Sequence, residues 1–311
     1  MQPVKLRPTR RAFLSGSAAI AAAGALPLSR AIASDPHDTA FMVVGDWGKL
    51  GIGELQVAAA MQWCAANSRC RFVISVGDYF YDVGVVDVDD PQWQLTFERV
   101  FSGSSLQVPW YSVLGNHDYS GNPNAEVEYT GNGIRWQMPA HFYRHQELLA
   151  DGSQADFFFI DTNLLTHPRE AAEIAGVNPR AQLRWLEDQL ADSRARWKLV
   201  IGHHPVFSGG ERHGNTPELV REVKPMLDRY GVQAYFNGHD HNLQHLLVDN
   251  VHYLTSGSGA ESRSVGRVTG TIFAANTLGF IDAQFRGGRL AIEFIDAAGA
   301  ALHSVDIISA G

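Results

Sequence analysis

Cysteine is nearly absent: Cys64 and Cys70 are the only two in 311 residues, too few for a disulfide scaffold. Outside the cytoplasm the two could pair with each other across a short loop; in a core they would be two small buried residues. The sequence leaves both readings open. Positive charge is also short. The chain has 25 Lys and Arg against 33 Asp and Glu. Residues 1–33 hold five of the cations and no acidic residue, so the remainder carries 20 against 33, a formal charge of −13. Such an acidic balance excludes nucleic acid as a bulk partner. It also requires that an anionic substrate be attracted locally, not by the overall field. Long apolar runs are scarce too. The one from Ala18 to Leu28 falls short of the ~20 residues a membrane span needs, and no other segment suggests a span. Nothing repeats internally, and no linker divides the chain.

What residues 1–33 do contain is Thr9-Arg10-Arg11-Ala12-Phe13-Leu14, then the Ala-rich run, then a small-x-small cleavage pattern at Ala31-Ile32-Ala33. This is the pattern of a twin-arginine signal peptide, cut after Ala33. It predicts export by the twin-arginine machinery to the periplasm or medium, with no membrane attachment of the mature form. That route carries folded proteins, often with a metal or cofactor inserted. Residues 34–311 read as one domain, large enough to bury a full core.

Along that domain, Ala40–Val44, Phe72–Val76 and Pro109–Leu114 are apolar runs expected of buried strands. A helical pattern from Gly53 to Ala66, carrying Leu55, Ala58, Met61 and Trp63, and a short helix near Pro91–Phe101 separate them. This is the βαβ alternation of a parallel sheet, which places ligands at the carboxyl ends of its strands. Gly121–Gly133 reads as a surface loop, His141–His145 and Ala155–Ile160 as strands, and Asn163–Asn178 as a long connection able to cover a cleft. Pro179–Ser193 predicts a helix with Leu183, Trp185, Leu186 and Leu190 on one face. Trp197–Ile201 and Val232–Phe236 read as strands, with one helix from Thr216 to Tyr230 between them. A hairpin turns at Asp249-Asn250, and an antiparallel meander runs from Thr277 to Ile308.

Five of these strands end in metal-ligand residue types: Asp46, Asp78 with Tyr81, Asn116 with His117, His203, and His239 with His241. The glycine before His239 is expected to permit the backbone bend there. Taken singly, each residue has an ordinary reading. Asp after Gly caps helices and makes turns, a lone Tyr81 is more often core than ligand, and His204 beside His203 serves packing or supports a neighbouring ligand. Five strand ends converging with oxygen and imidazole donors are harder to explain structurally. Two carboxylates and three imidazoles exceed one ion with an open position, and suit two ions bridged by a carboxylate.

Gly45-Asp46-Trp47-Gly48, Gly77-Asp78-Tyr79-Phe80-Tyr81, Gly115-Asn116-His117-Asp118, Gly202-His203-His204-Pro205 and Gly238-His239-Asp240-His241 resemble, in order, the motifs of the calcineurin-like metallophosphoesterases. Tyr81, three after Asp78, narrows the resemblance to the purple acid phosphatases, and the length to their small, mammalian-type (tartrate-resistant) members. The resemblance implies a four-layer α/β/β/α sandwich of two mixed β-sheets with the metals at strand carboxyl ends. It implies Fe(III) on Asp46, Tyr81, His241 and a bridging Asp78, and a divalent Fe, Zn or Mn on Asp78, Asn116, His203 and His239. Hard phenolate and carboxylate donors suit the trivalent ion, and amide and imidazoles the softer one. It further implies acid hydrolysis of small phosphate monoesters by metal-hydroxide attack. His117, directly after a metal-ligand position, can project toward the substrate and is assigned to contacting the phosphate or protonating the leaving group, with His213 a second candidate. Tyr79 stands where the family usually has Asn, and His204 where mammalian-type members have Tyr.

Two other functions stay in view. One is a phosphodiesterase or nucleotide pyrophosphohydrolase with two divalent ions, which would be colourless. The other is a non-catalytic binding module, which predicts missing ligands.

Overall fold

The computed structural model describes residues 38–133 and 135–309; residues 1–33, read as an export signal, lie outside that range. Strand β1 (Thr39–Val44) is buried along its whole length, as its unbroken apolar sequence requires. Helix α1 (Ile52–Ser68) follows, then β2 (Phe72–Ser75), a π-helical segment Trp93–Glu98 and β3 (Trp110–Ser112). Of the expected helical face, Ala58 and Met61 are buried while Leu55 and Trp63 face outward; Val57 and Cys64 complete the packed side. Helix α1 ends at Arg69, whose φ of 56° is left-handed. Both cysteines beyond and before that turn are buried and free. The Cys70 thiol donates to the Phe72 carbonyl at 3.1 Å, which answers the pairing question in favour of two separate core residues.

The stretch Gly121–Gly133, expected as loop, holds helix α2 (Pro123–Tyr129). Its start is fixed by Pro123 at the first position and by the Asn122 side chain accepting from the Asn124 amide; those are local signals. Strands β4 (Trp136–Gln137), β5 (Tyr143–Leu148) and β6 (Gln154–Phe159) come next. The connection Asn163–Asn178 is not irregular: it contains α3 (Asn163–Thr166) and α4 (Pro168–Ala175). Helix α5 (Pro179–Asp192) is capped by the Asn178 side chain and buries Leu186 and Leu190.

After β7 (Trp197–Ile201), the single helix expected from Thr216 to Tyr230 is two, α6 (Pro217–Glu222) and α7 (Lys224–Arg229). Pro225 has no N–H to continue the first helix. Strand β8 (Ala234–Asn237) precedes the hairpin of β9 (Leu243–Val248) and β10 (Val251–Ser256). Asp249 and Asn250 turn it with φ of 49° and 67°, the pairing of positive values a two-residue hairpin turn demands. A strand not foreseen, β11 (Thr271–Ala275), pairs antiparallel with β9, and β12 (Gly279–Arg286), β13 (Arg289–Asp296) and β14 (Ala301–Ile308) form the meander.

The strands make two seven-stranded sheets, ordered β14-β13-β12-β1-β2-β3-β4 and β11-β9-β10-β8-β7-β6-β5. In the first, β1 to β4 are parallel and β1 pairs antiparallel with β12. In the second, β6, β7, β8 and β10 are parallel, flanked by antiparallel β5 and β9. The sheets face each other through aromatic contacts: Phe41 of the first stacks on Phe72 and meets Phe157 and Phe236 of the second edge-on. Full burial of one such ring is worth about 1.5–3 kcal/mol. Leu186, Leu190, Leu219 and Leu227, from α5, α6 and α7, cover the far face of the second sheet beside Phe158, Val200 and Tyr235. With α1 packed on the first sheet at β1 and β12, the result is the four-layer α/β/β/α sandwich.

Candidate metal centre

Three carboxyl ends from the first sheet and two from the second meet at one edge of the sandwich. Beyond them Asp46, Asp78 and His239 have φ of 57°, 57° and 69°, a left-handed conformation that costs non-glycine residues roughly 1–3 kcal/mol and clusters at functional sites. At β8 the bend is therefore carried by His239 and not by Gly238. Gly238 is needed for a different reason: a Cβ there would sit 2.3 Å from Asp46 Oδ2. Gly115 is alike, since its Cβ would lie 2.1 Å from Asp78 Oδ1.

The structure brings all seven expected donors together, Asp46, Asp78, His203 and His241 buried and Tyr81, Asn116 and His239 half-buried. They fall into two groups that share Asp78. In the first, the Tyr81 hydroxyl lies 3.2 Å from Asp46 Oδ1, 3.0 Å from Asp78 Oδ2 and 3.2 Å from His241 Nε2. In the second, Asn116 Oδ1 lies 2.9 Å from His239 Nδ1 and 3.2 Å from His203 Nε2, and His203 Nε2 is 3.4 Å from Asp78 Oδ2. One ligand atom from each of Asp78, His203 and His239 lies within 4.8 Å of the others.

This donor set fits cations. His203 Nδ1 lies 2.8 Å from the Val76 carbonyl, so that nitrogen carries a proton and Nε2 is the atom turned toward the amide oxygen of Asn116 and toward Asp78. Tyr81 has one proton for three acceptors. Burial, with Asp46 and Asp78 nearby, pushes its phenol well above the ordinary value, so a phenolate at this place needs a positive ion beside it. Burial likewise raises Asp46. Between Asp78 and His203 burial opposes both charges, yet the carboxylate pushes the imidazole up to about 10 and His203 holds Asp78 well below the carboxylate range. Ligation would displace that shared proton.

The shell around the donors includes a residue that, as a sequence position, carries no role of its own. Asp118, fully buried, accepts from the amides of Asp78 (2.8 Å), Tyr79 (3.1 Å) and Gly115 (2.7 Å). It ties the end of β2 to the end of β3. Its position inside the Gly-Asn-His-Asp motif was the available signal.

His117 donates its amide to Asp78 Oδ1 at 2.9 Å, and its Nδ1 lies 2.8 Å from the Asp82 carbonyl. Its ring lies tilted beside that of Tyr81, 4.4 Å between centroids, and lines the cavity next to the donors. His213 is exposed, with its ring 4.1 Å from that of His239. Partial desolvation of the ring where it packs on His239, with Arg212 and Arg263 nearby, lowers its basicity. His204 is buried with Nδ1 2.7 Å from Thr162 Oγ1, and its ring lies 4.4 Å from that of His239. Tyr79 lies in the core, bonded to the Val113 carbonyl.

Two cavities open on the donors. One of about 250 Å³ reaches Tyr81, His117, His241, Lys49, Arg212 and Arg263. The other, about 650 Å³, runs from Asn116 and His239 along α3 and α4 past Thr166, Glu170 and Glu218. The connection expected to cover a cleft therefore forms one of its walls.

The calcineurin-like phosphoesterase family profile matches residues 31–243. The chain belongs to that family, and the fold is the one just described. Within it, the chain falls with the purple acid phosphatases. Purple acid phosphatase 4 of Arabidopsis thaliana is 35% identical over 285 residues, covering 86% of this chain and 82% of its own. Tartrate-resistant acid phosphatase type 5 of Homo sapiens is 40% identical over 239 residues, covering 70% and 72%. Among solved structures, GAP50, the anchor in the inner membrane complex of Plasmodium, matches with a TM-score of 0.80 at 26% identity over 88% of this chain and 90% of that one.

Proposed function

We propose that this phosphoesterase is an exported acid phosphatase, hydrolysing small phosphate monoesters at a binuclear centre of Fe(III) and divalent Fe, Zn or Mn. The observation that carries the proposal is the Tyr81 hydroxyl held among Asp46, Asp78 and His241, beside a separate Asn116, His203 and His239 group. Asp46, Tyr81 and His241 would hold the trivalent ion, Asn116, His203 and His239 the divalent one, and Asp78 both. Bound there, the ions would neutralise phosphoryl oxygens and activate water for attack at acidic pH.

The chain's own groups do the rest. Val76 keeps His203 in the tautomer whose Nε2 faces the site, and Asp118 holds the Asp78 and Asn116 turns in register. His117, anchored through Nδ1 at the Asp82 carbonyl, presents Nε2 to the substrate and in its imidazolium form donates a proton to the leaving oxygen. His213, at the junction of the two cavities, is the second candidate for that contact. The twin-arginine motif supports export, and no helix among the described residues is long and apolar enough to cross a membrane. The Plasmodium neighbour is described as an anchor; retention of all seven donors here favours catalysis.

The test is a visible spectrum with metal analysis of the same purified sample, and hydrolysis compared between a monoester and a diester. A purple or pink band tracking iron, with monoester hydrolysis dominant, is expected. A colourless protein holding two divalent ions and cleaving diesters would sink the proposal.

A further inference from the structure

Lys49, Arg212 and Arg263 line the same cavity as Tyr81, His117 and His241, and none of them belongs to the motifs that supply the metal donors. Arg212 and Arg263 come from different loops that the backbone fastens together. Gly210 and Val265 form an antiparallel bridge, with Glu211 N 3.5 Å from the Ser264 carbonyl and Gly266 N 2.8 Å from that of Gly209. In that register Arg212 stands opposite Arg263. The Arg263 amide also donates to the His241 carbonyl at 2.6 Å, which locks the pair to the metal end of the cavity. Like charges at opposed positions destabilise an antiparallel pair, so this arrangement favours an anion between them.

The local counter-charge is insufficient. Glu261 is 2.6 Å from Lys49 and 3.7 Å from Arg263, and it also lies 3.8 Å from His241 Nδ1. One carboxylate thus serves two of the cations, and Arg212 has no ion pair among the described residues. Asp82 is the one other carboxylate on this rim, apart from the Asp78 donor. The opposite cavity has the reverse character: Glu170 and Glu218 line it, with no lysine or arginine. The site is therefore polarised across the metal donors.

We propose that Arg212, Arg263 and Lys49 form a subsite for a second anionic group of the substrate, a carboxylate or a further phosphate, next to the phosphate that is cleaved. The enzyme then selects phosphate monoesters that carry another negative charge, in a chain whose overall acidity would otherwise repel them. Paired guanidiniums recognise carboxylate and phosphate oxygens through parallel N–H donors. The subsite rests on the phosphatase assignment above, deepening it by substrate class.

The test compares 3-phosphoglycerate with glycerol 3-phosphate, which differ in carrying a carboxylate in place of a hydroxymethyl group. The readout is the ratio of kcat/KM, first substrate over second, in which errors of folding and metal loading cancel. The metal-loaded enzyme should favour 3-phosphoglycerate by about tenfold, and higher ionic strength should shrink the ratio. Arg212→Gln with Arg263→Gln brings the ratio to about one, and Arg212→Glu takes it below one. A wild-type ratio of one, or a ratio the double variant leaves unchanged, overturns the subsite. A parallel fall for both substrates overturns it too, assigning the arginines to the cleaved phosphate. Hydrolysis of neither substrate removes the phosphatase assignment, and the subsite with it.

Discussion

Replacing Asp118 by Asn removes little volume and a carboxylate whose charge burial and the neighbouring Asp78 oppose, raising it to about 7, and the geometry around it sets the consequence. Its two oxygens accept three backbone amides, Asp78 and Gly115 on Oδ2 and Tyr79 on Oδ1. An Asn oriented to keep the Oδ2 pair would point its NH₂ at the Tyr79 N–H, a donor facing a donor. One buried amide is left unpaired, worth about 1–3 kcal/mol, and the remaining two bonds lose their charge assistance, roughly 1 kcal/mol each. Partial relaxation brings the total to about 3 kcal/mol, or ~6–10 °C in Tm for a domain of this size. The Asp78 turn is released at the same time, and the loss of such supporting contacts weakens metal binding about 10–100-fold. Thermal unfolding and metal content after dialysis against graded chelator measure both. The Asp118→Ala variant, which orphans all three amides, should be worse on each. A variant with wild-type Tm and wild-type metal retention would strip Asp118 of this supporting role.

Other outcomes follow from single features of the site and core. His117→Ala should keep both metals and the colour while kcat falls about 10²–10⁴-fold for a lost general acid; unchanged turnover removes His117 from the mechanism. Asn116→Ala and His239→Ala should each lose the divalent ion and activity while the tyrosinate colour on the other ion persists, and metal analysis at full occupancy of both would overturn that division of donors. Away from the site, His245 lies 3.0 Å from His303 and 2.8 Å from His252, with no carboxylate beside it among the described residues. Burial, with the neighbouring imidazoles, lowers His245 to about 3, and burial lowers His252 to about 4. Both are below the ordinary value of about 6.5, so as pH falls through that value the unfolded chain takes up protons first. Each group's contribution is full above pH ~6.5 and shrinks toward pH ~4 by about 1.4 kcal/mol per unit. His245→Leu should flatten the slope of unfolding free energy against pH in that window by about one proton; urea titrations with an unchanged slope would count against it.

Much of this protein is written locally. The buried strands announce themselves as unbroken apolar runs, and the donors follow immediately at their ends, because parallel sheets expose ligands only where strands stop. The hairpin at Asp249-Asn250 and the Asn178-Pro179 helix start are legible for the same reason, each being set by the conformational limits of a few adjacent residues. The capped helix α2 and the break at Pro225 were within reach of those rules. Tertiary structure alone decided three things. It chose His239, not Gly238, to carry the left-handed bend, because the glycine is where Asp46 needs room. It gave Asp118 its work, since the three amides it gathers lie on two different strand ends. And it set Arg212 opposite Arg263, 51 positions apart along the chain, through a bridge between loops that have no periodicity to read. Residue type and spacing report what neighbouring backbone can do, whereas charge facing charge across a cavity exists only once both sheets have closed.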